Sequence, residues 1–134
     1  MHYMQELLDK LAGLQIPSDQ YAIYGSGPLA IRGIRESRDL DVVVKDEYYR
    51  TLIQKYPEKE KGKIEMNNGK IEIFPAWNSL LDDPEEVIDR AESIEGFKFV
   101  LLKDIIEWKR KMGREKDSAD IELINNYYNF KNNF

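Results

Sequence analysis

Residues 21–44 read YAIYGSGPLAIRGIRESRDLDVVV, and this stretch holds the pattern from which the fold can be predicted. Two short runs rich in β-branched and aromatic residues, 21–24 and 40–44, predict two strands. Between them, Gly25-Ser26-Gly27-Pro28 ends the first strand and introduces a brief helix over 29–34. The stretch therefore predicts a strand, a tight turn, a short helix and a second strand.

The flanking sequence adds helices and a hairpin to this unit. Apolar residues at helical spacing predict helices over 3–14, 47–56, 84–91, 99–112 and 117–128. Asn67-Asn68-Gly69, between alternating runs, predicts a β-hairpin of 63–66 with 70–74. A short extended piece is expected around 92–95, and the Asn-rich end, 129–134, is expected to be frayed. About three or four strands mixed with about five helices predict one α+β domain spanning 1–134.

Composition narrows the classes of function. The chain has 134 residues, 42% of them hydrophobic and 34% charged, as in an ordinary folded domain. A net charge of -5 argues against broad binding to a nucleic acid backbone. Cysteine is absent, which excludes disulfides and thiolate zinc sites. His2 is the only histidine, which argues against a Ser-His triad and a histidine-rich zinc site. Catalysis then falls to carboxylates, Lys, Arg, Ser or Tyr, and any metal to a hard cation held by oxygens.

The sequence shows no pattern of a membrane or secreted protein. Its apolar runs, such as 99–102, are far shorter than the roughly 20 residues that cross a bilayer. Glu6, Asp9 and Lys10 interrupt residues 1–16, where a secretory signal would be basic and then apolar. A cytoplasmic protein is expected.

Asp39 and Asp41 alternate with apolar residues and are expected on one strand face, about 7 Å apart at their Cα atoms. As a purely structural feature, Asp39 suits a turn, but Asp41 is unusual because aspartate is depleted in strand interiors. A divalent cation would relieve the repulsion between the two carboxylates.

The predicted hairpin supplies a third acid. With Asn68 and Gly69 as a two-residue turn, Glu65 lies opposite Glu72 on the face away from the core. One interpretation is a solvated face on which Lys63 and Lys70 relieve the repulsion. The other is that Glu72 joins Asp39 and Asp41 at a metal.

Gly25-Ser26, a spacer of twelve residues (27–38) and Asp39-Leu40-Asp41 together resemble the signature of the nucleotidyltransferase superfamily related to DNA polymerase beta. The resemblance implies a nucleotidyltransferase-like fold, a small mixed sheet with helices packed on one side and further C-terminal helices. It implies that Gly25 and Ser26 hold nucleotide phosphates and that Asp39 and Asp41 bind two magnesium ions. Glu72 would be the third acid, as a metal ligand or a base.

The C-terminal part carries a second pattern. Lys109 lies within the apolar stripe of helix 99–112, where a lysine either extends to solvent or meets an anion. Asp117 can cap the last helix, with Asp120 at its third position. The run Arg114-Glu115-Lys116-Asp117 and Asp120 also resembles the end of small bacterial nucleotidyltransferases of the abortive-infection toxin type and their minimal relatives. That resemblance implies that the acids orient three basic residues toward the triphosphate: Lys109, Arg114 and Lys116. Arg38, in the spacer of the first motif, is a further expected nucleotide contact.

The expected function is magnesium-dependent transfer of a nucleoside monophosphate from an NTP to a hydroxyl acceptor, with release of pyrophosphate. The alternative is a non-catalytic domain of the same fold that binds nucleotide or acts through a protein partner, as an antitoxin does. Net negative charge favours a small molecule or a protein over RNA as the acceptor.

Overall fold

The computed structural model describes residues 2–132, and in this part of the chain six strands form one mixed sheet. The strands are β1 (Tyr21–Tyr24), β2 (Leu40–Val44), β3 (Ile64–Met66), β4 (Ile71–Pro75), β5 (Glu92–Ile94) and β6 (Phe97–Phe99). The helices are α1 (His2–Gly13), α2 (Gly27–Ile31), α3 (Asp46–Leu52), α4 (Pro84–Asp89), α5 (Leu102–Met112) and α6 (Glu115–Asn132). A 3₁₀ turn at Ala76–Asn78 follows β4.

The sheet has the order β3-β4-β2-β1-β6-β5, which places β1 and β2 at its centre. These two strands are antiparallel to each other, and each has a parallel neighbour on its outer side, β6 beside β1 and β4 beside β2. Antiparallel hairpins complete the two edges. The expected α+β fold with a small mixed sheet is therefore confirmed, but the described residues form six strands rather than the expected three or four.

Side chains that alternate along the strands form a core on each face of the sheet. Ile23, Val42 and Ile73 belong to a core that includes residues of α1 and α3. Ala22 and Val43 belong to the opposite core, which is built with residues of α2, α4, α5 and α6. Because alternate residues share a face, Asp41 and Glu72 point to the second side, where the C-terminal helices lie.

Several predicted bounds were right and others need correction. Both central strands have the predicted residues. Helix α2 begins two residues earlier than predicted, since Pro28 is suited to a first turn, and it ends before Gly33, whose φ is +75°. Helix α3 ends at Leu52 rather than at 56, because the chain forms turns before Pro57.

The second half contains a strand that was not predicted. Phe99, predicted as the start of a helix, instead ends β6, where it pairs with Ile23 and is fully buried. Helix α5 begins only at Leu102. Residues 129–132, expected to be frayed, continue α6, while 133–134 lie outside the described residues. None of the described helices is both long and apolar enough to cross a membrane.

Candidate functional site

Carboxylates lie side by side on three neighbouring strands. Asp41 of β2 pairs with Glu72 of β4, and Glu72 pairs with Glu65 of β3, which confirms the predicted hairpin register. On the other side, Asp41 pairs with Tyr24 of β1. Neighbouring strands are about 5 Å apart, so the carboxylates share one small region of the sheet. We call Asp41 and Glu72, with Asp39 before them in the chain, the acid row.

Asp41 carries the strongest electrostatic perturbation of this row. Burial, then the charges of Glu72 and Asp39, raise the pKa of Asp41 to about 7, and a hydrogen bond with Glu72 adds to the effect. The positive charge of Lys109 offsets only part of this rise. Burial and the same two carboxylates, Asp41 and Glu72, also raise the pKa of Tyr24, so its hydroxyl stays protonated. Ionising Asp41 beside the other two carboxylates therefore costs free energy.

Asp39 lies just outside the strand. β2 begins at Leu40, whose N–H donates to the Lys70 carbonyl at 2.7 Å, so Asp39 is in the exposed approach to the strand. The Ser37 hydroxyl donates to the Asp39 carbonyl at 2.8 Å. Among residues 2–132, no three His, Asp or Glu side chains are grouped closely enough to hold a metal ion as they stand. The acids are neighbours, but the expected three-acid site is not preassembled.

The turn after β1 lies directly against Asp41. Gly25 has a φ of +69°, and a Cβ at this position would be 2.5 Å from Asp41 Oδ2. Glycine is therefore required both by the backbone conformation and by the closeness of the carboxylate. Ser26 begins α2 through its carbonyl, which accepts from the N–H groups of Leu29 and Ala30, both at 3.1 Å. Its hydroxyl does not cap the helix but is hydrogen-bonded to Ser37.

Glu72 makes contacts that fit both interpretations of the hairpin. Its Oε2 is 3.0 Å from Lys63 Nζ, the contact expected for a solvated face. The same side chain is only 28% exposed and acts on Asp41 through its charge and a hydrogen bond, so it lies close to the carboxylate with which it would share a metal. Glu72 therefore connects the surface lysine to the acid row.

Lys109 is buried, and it meets anions within the protein. It is 3% exposed, and its Nζ is 2.9 Å from Asp120 Oδ2 and 3.6 Å from Asp117 Oδ1. Both aspartates are as inaccessible to solvent as core residues, since Asp117 is 1% exposed and Asp120 is 4% exposed. Although burial opposes it, the surrounding cations keep the pKa values of Asp117 and Asp120 lowered.

Two arginines complete this group. Arg35 donates from Nε and Nη2 to the two Asp120 oxygens, at 2.6 and 2.7 Å. Arg114 donates from Nε to Asp117 at 2.6 Å, and its backbone N–H donates to the same oxygen at 3.1 Å. Asp117 was expected to precede the last helix, but α6 begins at Glu115, so Asp117 is its third residue. Its carboxylate accepts from the Arg114 N–H just before the helix and so caps the first turn. We call Arg35, Lys109, Arg114, Asp117 and Asp120 the buried ion cluster, after its three buried members, Lys109, Asp117 and Asp120.

The remaining predicted nucleotide contacts are on the surface. Arg114 is 41% exposed along its side chain, lies 6.0 Å from the Trp108 ring and is electrostatically coupled to Asp41. Arg38 is exposed beside Asp39 in the chain, and Lys116 is exposed in the first turn of α6. Sequence reasoning did not select Arg35 as a site residue, because its partner is 85 positions away and no local pattern indicates it.

Comparison with solved structures finds a protein from Thermotoga maritima described as a "putative nucleotidyltransferase". The two structures superpose with a TM-score of 0.58 over 94% of each chain, at 16% sequence identity. No protein-family model and no curated protein matches the sequence. Similarity at this identity shows the fold alone, and it confirms the nucleotidyltransferase-like fold that the resemblance at Gly25, Ser26, Asp39 and Asp41 implied.

Proposed function

We propose that this protein is a magnesium-dependent nucleotidyltransferase that moves a nucleoside monophosphate from an NTP to a hydroxyl acceptor. The observation that carries the proposal is the contact between the Gly25 turn and Asp41, next to Glu72. A glycine that leaves room beside a crowded carboxylate suits a site at which phosphate and cation meet.

The chemistry of the acids fits magnesium. Carboxylate oxygens are the ligands that this hard cation prefers, and the negative charges around Asp41 are only partly compensated by Lys109. Asp39 and Asp41 would hold two magnesium ions when the NTP binds, with Glu72 as a further ligand or as the base. Magnesium, when bound, stabilises negative charge on the attacking and leaving oxygens.

The chain offers several groups for the triphosphate. Gly25 allows close approach of phosphate to the backbone, and the Ser26 hydroxyl is beside it. Arg114 extends from the buried ion cluster toward the solvent and is coupled to Asp41. Arg38 and Lys116 are exposed, so a charged ligand can reach both side chains, and Arg38 also interacts within the protein. Lys109 is held by two carboxylates within the protein, so it would act on the triphosphate only through the electrostatic field that also reaches Asp41.

In the proposed step, the acceptor oxygen attacks the α-phosphorus of the NTP. The new bond joins that oxygen to the α-phosphorus, and the bond from the α-phosphorus to the bridging oxygen of the β-phosphate breaks. Pyrophosphate leaves with the bonding electrons, and the proton of the acceptor hydroxyl moves to the Glu72 carboxylate. Most of the catalysis comes from positioning and charge stabilisation, as in other phosphoryl transfers.

A second candidate is a nucleotidyltransferase-like module that acts through a protein partner. A surface groove that Leu101, Tyr127 and Tyr128 line, with Tyr128 40% exposed, favours this candidate. Such exposed apolar side chains are common at interaction sites. The net charge of -5 favours a protein or a small molecule over RNA for either function.

The test is thermal unfolding with ATP, GTP, CTP and UTP, each with and without magnesium. Wild type is compared with an Asp39→Asn/Asp41→Asn variant and with Glu85→Gln/Glu86→Gln, which removes two exposed charges from α4. Ligand at about 100 times its Kd stabilises a protein by about 2.7 kcal/mol, a shift of several degrees. We expect this shift in wild type and the α4 variant only.

A label in the α-phosphate then separates binding from transfer. Glu72→Gln should retain the magnesium-dependent shift and lose transfer of label to acceptors in a cell extract. Absence of a shift with all four nucleotides in wild type would contradict the enzyme proposal and favour the partner module.

A further inference from the structure

The segment that carries Asp39 is held by side chains rather than by regular structure. Residues 32–39 connect α2 to β2 without helix or strand. Within them, Ser37 is hydrogen-bonded to Ser26, and Arg35 forms its two-pronged ion pair with Asp120 of α6. The Arg35 contact joins this segment to a helix more than 80 positions away.

Asp120 is also the point at which the segment meets the buried ion cluster. Asp120 binds Lys109 of α5, Lys109 binds Asp117, and Asp117 binds Arg114 at the start of α6. The two aspartates and the lysine are nearly inaccessible to water. Buried charges without partners are costly, so the arrangement of this chain of ion pairs is strongly fixed.

The cluster lies beside the acid row. Lys109 and Arg114 both interact electrostatically with Asp41. The cluster has three cations and two anions and therefore a net charge of one positive. The acid row beside it has three carboxylates, so the cluster offsets only part of their negative charge. Its Arg35 end holds the segment of Asp39, and its Arg114 end extends to solvent near Asp41.

We propose that Arg35 is a positioning residue: its ion pair with Asp120 sets the place of Asp39 relative to Asp41 and to Arg114. The reaction that this alignment serves rests on the function proposed above. Arg35 touches neither nucleotide nor metal in this role. Arginine is needed because its planar guanidinium makes two parallel bonds to one carboxylate, whereas a lysine makes a point contact that leaves the segment free to shift.

The protein contains a matched control for this pair. Arg90 donates from Nε and Nη2 to Asp104 at 2.9 and 2.8 Å, with side-chain exposures of 41% and 9%. The exposures for Arg35 and Asp120 are 35% and 6%. The Arg90 pair joins the end of α4 to the first turn of α5. Arg35→Lys and Arg90→Lys therefore replace the same two-pronged ion pair by a point contact at two places.

Two measurements on the full chain test the proposal. The first is hydrogen exchange of the amides in 36–40 without nucleotide, in wild type, Arg35→Lys and Arg90→Lys. The second is the Kd of ATP with magnesium by calorimetry. We expect comparable losses of Tm in both variants, but several-fold faster exchange in 36–40 and an about tenfold higher Kd only in Arg35→Lys.

The outcomes separate the two proposals. Wild-type exchange in 36–40 of Arg35→Lys, or equal acceleration there in Arg90→Lys, overturns the positioning role. An unchanged Kd in Arg35→Lys also overturns it if wild type binds ATP. If wild type binds no nucleotide, the proposed function is wrong, and the exchange measurement alone decides whether Arg35 holds the segment of Asp39.

Discussion

Replacing Gly25 with alanine adds one methyl group at the point where the turn meets the acid row. The new Cβ would lie 2.5 Å from Asp41 Oδ2 and 3.3 Å from its Cβ and Cγ. A separation of 2.5 Å is well inside van der Waals contact, so the Asp41 carboxylate must rotate away. We expect Gly25→Ala to displace the carboxylate on which magnesium binding depends.

The expected loss of stability is small by comparison. A non-glycine residue at the φ of +69° costs about 1–2 kcal/mol. The atom that clashes most is the end of a side chain that can turn, which adds little. For a domain of this size the sum lowers Tm by about 4–8 °C. The variant should fold and yet lose its magnesium-dependent response to nucleotide.

Gly33→Ala is the matched control. Gly33 has a φ of +75°, and a Cβ there meets no described atom within 4 Å, so the substitution introduces the same backbone strain without the clash. The assay is urea denaturation of both variants, followed by thermal unfolding with and without magnesium and ATP. We expect similar stability losses but a ligand shift only in Gly33→Ala. Equal ligand shifts in the two variants would refute the placement of the nucleotide site at Gly25.

Two further predictions concern charge. The pKa of Asp41, about 7 in the folded state, exceeds its unfolded value near 4, so the metal-free protein should lose stability as pH rises between these values, by at most about 4 kcal/mol. Asp41→Asn should flatten this decline and be the more stable protein at pH 8 in urea with a chelator; parallel pH profiles would contradict it. Lys109→Met should cost about 3–5 kcal/mol because it leaves Asp117 and Asp120 undercompensated, while the exposed Lys116→Met should stay within about 0.5 kcal/mol. Equal urea midpoints for these two lysine variants would show that the buried ion cluster does not stabilise the fold.

The centre of the fold was predictable because its signals are local. β-Branched and aromatic residues identify β1 and β2 within a few positions of the chain. Asn68-Gly69 fixes the hairpin register, and the register in turn places Glu72 beside Glu65. Those inferences need only neighbours in sequence, and the structure confirms them.

The features that the sequence did not predict depend on contacts between positions far apart in the chain. β6 is three residues long and is stabilised by pairing with β1, more than 70 positions earlier, so its apolar run looks the same as the start of a helix. The ion pair of Arg35 with Asp120 has the same property. Propensity and spacing describe each partner separately and cannot indicate that they meet.

Two charged residues, Lys109 and Asp41, occupy positions where an apolar residue is expected from the sequence pattern. Their surroundings in the structure differ. Lys109, a cation in an apolar stripe, is neutralised within the protein by Asp117 and Asp120, so its burial needs no ligand. Asp41, an acid in a central strand, lies beside further acids, and burial together with the charges of Glu72 and Asp39 raises its pKa to about 7, because Lys109 compensates only in part. A local conflict that the fold satisfies needs no ligand, whereas one that it leaves unsatisfied is where a functional site is expected. Asp41 is therefore the position at which a cation from outside the chain would contribute most.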